Sequence, residues 1–210
     1  MTPARFKVRG LYGMVDVPPT VEAAAAMALA AALVDGGARI LQLRIKGGDA
    51  AAQLAIARAL APWCRERSVR FIVNDRVVVA LAAGADGVHL GQDDLPLAAA
   101  RAIAPSGFVI GVSTHDEAQA RAAAAADYIG FGPCFTTSSK QNPDPVVGLE
   151  RLARVCAASP IPVVAIGGIT LDTVAAVAAA GASAAAIIRA VNSAPDIATA
   201  ARAVVAAFTR

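Results

Sequence analysis

Residues 41–46 read Leu41-Gln42-Leu43-Arg44-Ile45-Lys46, an apolar–polar alternation that a β-strand sorts onto two faces. Gln42, Arg44 and Lys46 share one face. Two cations and an amide there make an anion-binding surface if that face turns toward a site. Asn74-Asp75-Arg76 and Gly91-Gln92-Asp93-Asp94 each follow an apolar run. Acidic residues after a strand have an ordinary reading as turn or N-cap groups. If the chain brings them to one rim, two carboxylates beside Arg44 and Lys46 suit a Mg²⁺ ion that shares its coordination with phosphate oxygens. Asp75 is one such carboxylate, and spacing leaves Asp93 and Asp94 open for the other.

Three later segments add hydroxyls, glycines and one more cation. In Gly111-Val112-Ser113-Thr114-His115-Asp116, Ser113 can donate to an anion, while Thr114 or Asp116 can cap a following helix. Residues 130–140, GFGPCFTTSSK, set glycines beside four hydroxyls and Lys140, a composition for gripping phosphate, with a flexible polar loop as the alternative. Gly167-Gly168 and Ile188-Arg189 sit at the ends of two late apolar runs, where backbone N–H groups and a helix start can bind an anion. The chain thus offers two anion sites, one with a metal and one without. His89 and His115 have no partner that the sequence identifies and read as hydrogen-bonded structural groups. Cys64, Cys134 and Cys156 lack metal-ligand spacing and point to a reducing compartment.

Eight β-like runs position these groups: residues 10–15, 40–45, 70–73, 87–90, 108–112, 128–131, 162–166 and 185–189. Ala-rich helical stretches, such as 20–35, 49–67 and 171–180, alternate with them, and glycines at 36–37, 84 and 181 mark helix ends. Eight βα units predict the α/β class and a (β/α)₈ TIM barrel, a single domain over 1–210. In such a barrel Leu41, Leu43 and Ile45 pack on the helices, which turns Gln42, Arg44 and Lys46 to the axis. Asp75 and Asp94 then reach the same C-terminal rim from adjacent strands. The loops after strands seven and eight form the recurrent phosphate site of the fold. The stretch from 136 to 148 is the longest irregular one.

The composition is 57% apolar, much of it alanine, yet the longest apolar run, 23–34, is too short to cross a bilayer. The first ten residues hold no apolar signal core. A cytoplasmic protein without membrane attachment is expected. The net charge of +3 is spread along the chain, which fits small anionic substrates and argues against a nucleic-acid partner. Assembly into a homo-oligomer is compatible with the sequence.

The motifs QLRIK, NDR, GVHLGQDD, GVSTHD, GPCFTTSSK and AIGGIT, in this order, resemble the thiamine phosphate synthase family over residues 11–191. The resemblance implies a transferase that condenses 4-amino-2-methyl-5-(diphosphooxymethyl)pyrimidine with hydroxyethylthiazole phosphate and releases diphosphate. It implies that Gln42, Leu43, Arg44, Ile45, Lys46, Asn74, Ser113 and Lys140 hold the pyrimidine diphosphate. It assigns Mg²⁺ to Asp75 and Asp94, deciding against Asp93. Thr137, Ser138, Ser139, Gly168, Ile188 and Arg189 fall where the thiazole phosphate is held. Arg44, Lys140 and Ser113 are the implied catalytic groups, acting on the departing diphosphate while the aminopyrimidine carries the resulting cation. Ser139 stands where threonine is usual and keeps the hydroxyl. Arg189 stands where serine is common. Two rivals are a thiazole tautomerase of the related TenI type and a non-catalytic phosphate-binding barrel. Neither needs the carboxylate pair together with Arg44 and Lys140.

Overall fold

A computed structural model describes residues 6–137 and 144–209. Eight parallel strands close into a barrel in sequence order: β1 Gly10–Val17, β2 Ile40–Ile45, β3 Arg70–Asn74, β4 Gly87–Leu90, β5 Val109–Thr114, β6 Tyr128–Phe131, β7 Val163–Ile166 and β8 Ala184–Ile187. Each is followed by helix: α1 Ala23–Asp35, α2 Ala50–Glu66, α3 Val77–Ala83, α4 Leu97–Ile103, α5 Glu117–Ala122, α6 Gly148–Ala158, α7 Val174–Ala179, and after β8 the single turn α8 Arg189–Asn192 and then α9 Ile197–Ala207. This is the expected (β/α)₈ barrel. Among the described residues, no helix is long and apolar enough to cross a membrane.

Alternation along each strand divides the apolar residues in two. Leu41, Leu43, Val73, Val88, Ile110, Ile129 and Ala185 face outward and are sealed under the helices. Tyr12, Met14, Ile40, Ile72, Val109, Tyr128 and Val164 face inward, and the ring of Phe6 stacks on Tyr128 at 5.3 Å, helping to fill the barrel's interior. The helices bury regularly spaced stripes: Ala26, Ala30 and Leu33 in α1, and Ile56, Ala57, Leu60, Ala61 and Cys64 in α2. Asp49, Asp116 and Asp196 accept from the backbone N–H three residues on and start α2, α5 and α9. Asp116 is therefore a cap.

The main departure from expectation lies at β8. The sequence suggests a strand through Arg189, but pairing stops at Ile187 and Arg189 opens α8. An Ala-rich run carries little signal for where extension gives way to helix. At β5 the strand runs on through Thr114, so Ser113 belongs to the strand and takes its inward direction from the barrel.

Candidate functional site

Inward-facing residues converge at the C-terminal ends of the strands around a cavity of about 180 Å³. Gln42, Arg44, Asn74, Ser113, Thr137 and Ile188 line it, bringing together six of the residues singled out from sequence. Arg44 points to the axis as strand parity requires. Register sets Asp16 of β1 directly beside Arg44 of β2, and the two side chains form a salt bridge. Arg44 is thereby held by a carboxylate before any substrate arrives. Leu43 and Ile45 do not reach the cavity: both lie on the opposite strand face, buried under the helices, because consecutive side chains alternate.

Lys46, Asp75 and Asp94 stand beyond the cavity lining, at the β2–β4 rim. The Lys46 ammonium lies 3.4 Å from Asp75 Oδ2, on an exposed side chain where a lone ion pair adds little stability. Asp75 takes φ +65, a left-handed conformation that few residues other than glycine, Asn and Asp accept. It caps nothing: α3 is entered through Arg76 without a side-chain cap. Burial raises the Asp75 carboxyl from its ordinary value, Lys46 lowers it, and the Asp94 carboxyl, within hydrogen-bonding reach, raises it further, for a net upward shift. Asp94 is fixed by the backbone N–H of Gly91, which donates to its Oδ2 at 2.6 Å, whereas Asp93 is exposed. The adjoining Asp94 raises the cost of ionising Asp75, a cost that a cation beside the pair would lower. Among the described residues, no cluster of three or more His, Cys, Asp or Glu groups forms a metal cage. An ion here would complete its shell with water and phosphate oxygens, the habit of Mg²⁺.

A second recess adjoins the first across Thr137, Gly167 and Ile188. Gly168, Thr170, Ile188, Arg189 and Ala190 line it. Gly168 has φ +67, and a Cβ there would stand 2.5 and 2.6 Å from the carbonyl oxygens of Thr136 and Phe135. Only glycine fits under that loop. Arg189 is exposed at the start of α8. Ser138, Ser139 and Lys140 lie outside the described residues.

Tyr12 and Tyr128 are cavity groups that the sequence does not single out, while His89 and His115, expected to be hydrogen-bonded structural groups, are hydrogen-bonded here. Tyr12, His89 and Tyr128 line the cavity. Gln42 Nε2 donates to Tyr12 Oη at 2.9 Å, the two phenol oxygens are 2.6 Å apart, Tyr128 Oη is 3.0 Å from His89 Nδ1, and His89 Nε2 is 2.9 Å from Ser113 Oγ. One row of the barrel makes this possible. His89, Gly111 and Tyr128 are level on β4, β5 and β6, and a Cβ on Gly111 would lie 2.1 Å from a Tyr128 ring carbon. The missing side chain lets the Tyr128 ring lie across β5 toward His89. Burial lowers His89 to about 4 against an opposing pull from Asp94, so it is neutral at ordinary pH. His115 donates from Nδ1 to the Gly132 carbonyl at 2.6 Å, and its Nε2 is 3.4 Å from Asp144. Burial pushes the Cys64 and Cys134 thiols up to about 12, which keeps them from acting as nucleophiles.

The description "thiamine monophosphate synthase" belongs to the family whose profile matches residues 12–191. A thiamine-phosphate synthase of Anaeromyxobacter dehalogenans is 47% identical over 207 residues, 97% of this chain and 90% of its own. Another, from Methanospirillum hungatei, is 49% identical over 171 residues, 80% of this chain and 83% of its own. The structure of a thiamine phosphate pyrophosphorylase from Pyrococcus furiosus superposes with a TM-score of 0.81 at 34% identity, covering 94% of this chain and 95% of that one. The chain is a transferase belonging to the thiamine monophosphate synthase family.

Proposed function

We propose that the barrel joins 4-amino-2-methyl-5-(diphosphooxymethyl)pyrimidine to hydroxyethylthiazole phosphate, forming thiamine phosphate and diphosphate with Mg²⁺ held by Asp75 and Asp94. The observation that carries this reading is the paired carboxylate rim of Asp75 and Asp94, set beside Lys46 and next to the cavity that Arg44 enters. A tautomerase or a passive phosphate-binding barrel has no use for that combination.

In this reading Gln42 and Asn74 face the aminopyrimidine ring inside the cavity, while Arg44 and Lys46 hold the diphosphate at its mouth. When bound, Mg²⁺ neutralises charge on the diphosphate oxygens. Arg44, fixed by Asp16, and Ser113, fixed by His89, present donors to the leaving oxygen without rearranging during the reaction. Lys140 adds a further cation from its loop. The C–O bond to diphosphate breaks, the aminopyrimidine carries the resulting cation, and the thiazole nitrogen supplies the electron pair for the new C–N bond. The thiazole phosphate sits in the second recess, against Thr137, the backbone at Gly168 and the start of α8; the resemblance also assigns Ser138 and Ser139 to it. Holding both substrates face to face removes most of the orientational cost of the encounter. The mechanism needs no protein base, in keeping with a cavity whose buried histidine has a lowered proton affinity and so is a poor base.

The test is direct. Purified protein, both substrates and Mg²⁺ should yield thiamine phosphate and diphosphate in equal amounts, and EDTA should stop the reaction. Persistent turnover in excess EDTA would contradict the metal assignment.

A further inference from the structure

The hydrogen bonds that connect Gln42 to Ser113 have a direction. Gln42 Nε2 can only donate, so Tyr12 Oη accepts at that end. Tyr12 is 2% exposed, and its other hydrogen-bond partner among the described residues is Tyr128. A buried hydroxyl proton needs an acceptor, so Tyr12 donates to Tyr128. Tyr128 in turn donates to His89 Nδ1. A neutral imidazole that accepts at Nδ1 carries its proton on Nε2, so His89 donates to Ser113 Oγ. The Ser113 proton is then left to point into the cavity that its side chain lines.

Turning the Gln42 amide over reverses the whole series. Oε1 would accept from Tyr12, Tyr12 from Tyr128, and Tyr128 from His89 Nδ1, with Ser113 donating back to His89 Nε2. Both arrangements satisfy every buried group, and they differ in what each end offers. In the first, Gln42 presents an acceptor to the cavity and Ser113 a donor. In the second, Gln42 presents a donor and Ser113 turns its proton away.

We infer that Tyr12, Tyr128 and His89 are positioning residues that transmit the hydrogen-bonding character of the substrate ring from Gln42 to the hydroxyl of Ser113. A ring with an exocyclic amine beside Gln42 demands the acceptor and so aims the Ser113 proton at the leaving anion. A ring with a carbonyl at that position demands the donor and turns Ser113 away. The barrel thereby discriminates between amino and oxo pyrimidines in the departure step as well as in binding. No proton is transferred; only orientations change. The inference rests on the ring position given under Proposed function.

Two measurements test it on the full chain. The sequence holds two histidines, so the imidazole nitrogens of ¹⁵N-labelled protein can be assigned. With the aminopyrimidine diphosphate bound and no thiazole phosphate, His89 should carry its proton on Nε2; with the 4-oxo analogue it should move to Nδ1. The same tautomer with both rings, or an imidazolium, would overturn the relay. In kinetics, Tyr128→Phe keeps the ring but removes the connecting hydroxyl. It should cut the amino-over-oxo ratio of kcat/KM at least about fivefold, and should cost nothing further in a Ser113→Ala background. An unchanged ratio, or losses that multiply independently, would overturn it. Absence of turnover in the unaltered protein would instead count against the proposed function, and the tautomer measurement would still decide the relay.

Discussion

The two sides of the barrel mouth are built by opposite means. Around β1–β4 the groups are ionisable side chains: Asp16, Arg44, Lys46, Asp75 and Asp94, the last close enough to raise the cost of ionising Asp75. Around β7 and β8 the lining is rich in glycine and hydroxyls, with Gly167 and Gly168 in left-handed conformations, the second beneath the carbonyls of residues 135–136, and a single helical turn opening at Arg189. Under the proposed function the difference follows from what each side would hold. A leaving diphosphate gains negative charge as its bond breaks, and point charges with a metal respond to that gain. A phosphate monoester that only has to stay in place needs a fixed cradle of N–H groups.

The comparison breaks most severely at Asp75. Asp75→Asn keeps a residue that accepts φ +65 but removes the charge, so folding should persist while kcat/KM falls at least about a hundredfold, as for other groups that stabilise transition-state charge. Steady-state kinetics alongside a melting curve would separate the two effects. On the other side, Gly168→Ala puts a methyl against two carbonyl oxygens at 2.5 and 2.6 Å. Losing one or two hydrogen bonds to a charged phosphate is worth roughly 2 kcal/mol, so KM for the thiazole phosphate should rise about thirtyfold with KM for the pyrimidine diphosphate nearly unchanged. The smallest effect belongs to Arg189→Ala. If backbone N–H groups carry that site, deleting its exposed cation should change kcat/KM by no more than about threefold. A larger loss would move Arg189 into the phosphate site proper.

Much of this was legible before any coordinates. Alternation in residues 41–46 fixes which side chains face the axis once eight βα units imply closure, and adjacent strands then bring Asp75 and Asp94 together. The same alternation in β1 puts Tyr12, Met14 and Asp16 on the inner face, a signal present in the sequence but unread, and it would have paired Asp16 with Arg44. Tyr128 and His89 were out of reach for a different reason. Their contact needs the register of three strands and the missing side chain at Gly111, and neither local pattern nor spacing encodes that. Asp144 lies beside His115 across 29 positions of sequence, a pairing that no periodicity reports. At β8 a run of alanines and isoleucines fits strand and helix alike, so its end was misplaced by two residues.

The division of labour between charged and backbone sites can be measured by calorimetric titration of each ligand separately, with Mg²⁺ present and after its removal. Diphosphate should bind tightly only with the metal, and lose that dependence in Asp75→Asn, whereas thiazole phosphate should bind equally in both conditions. Equal metal dependence for the two ligands, or none for diphosphate, would contradict the account.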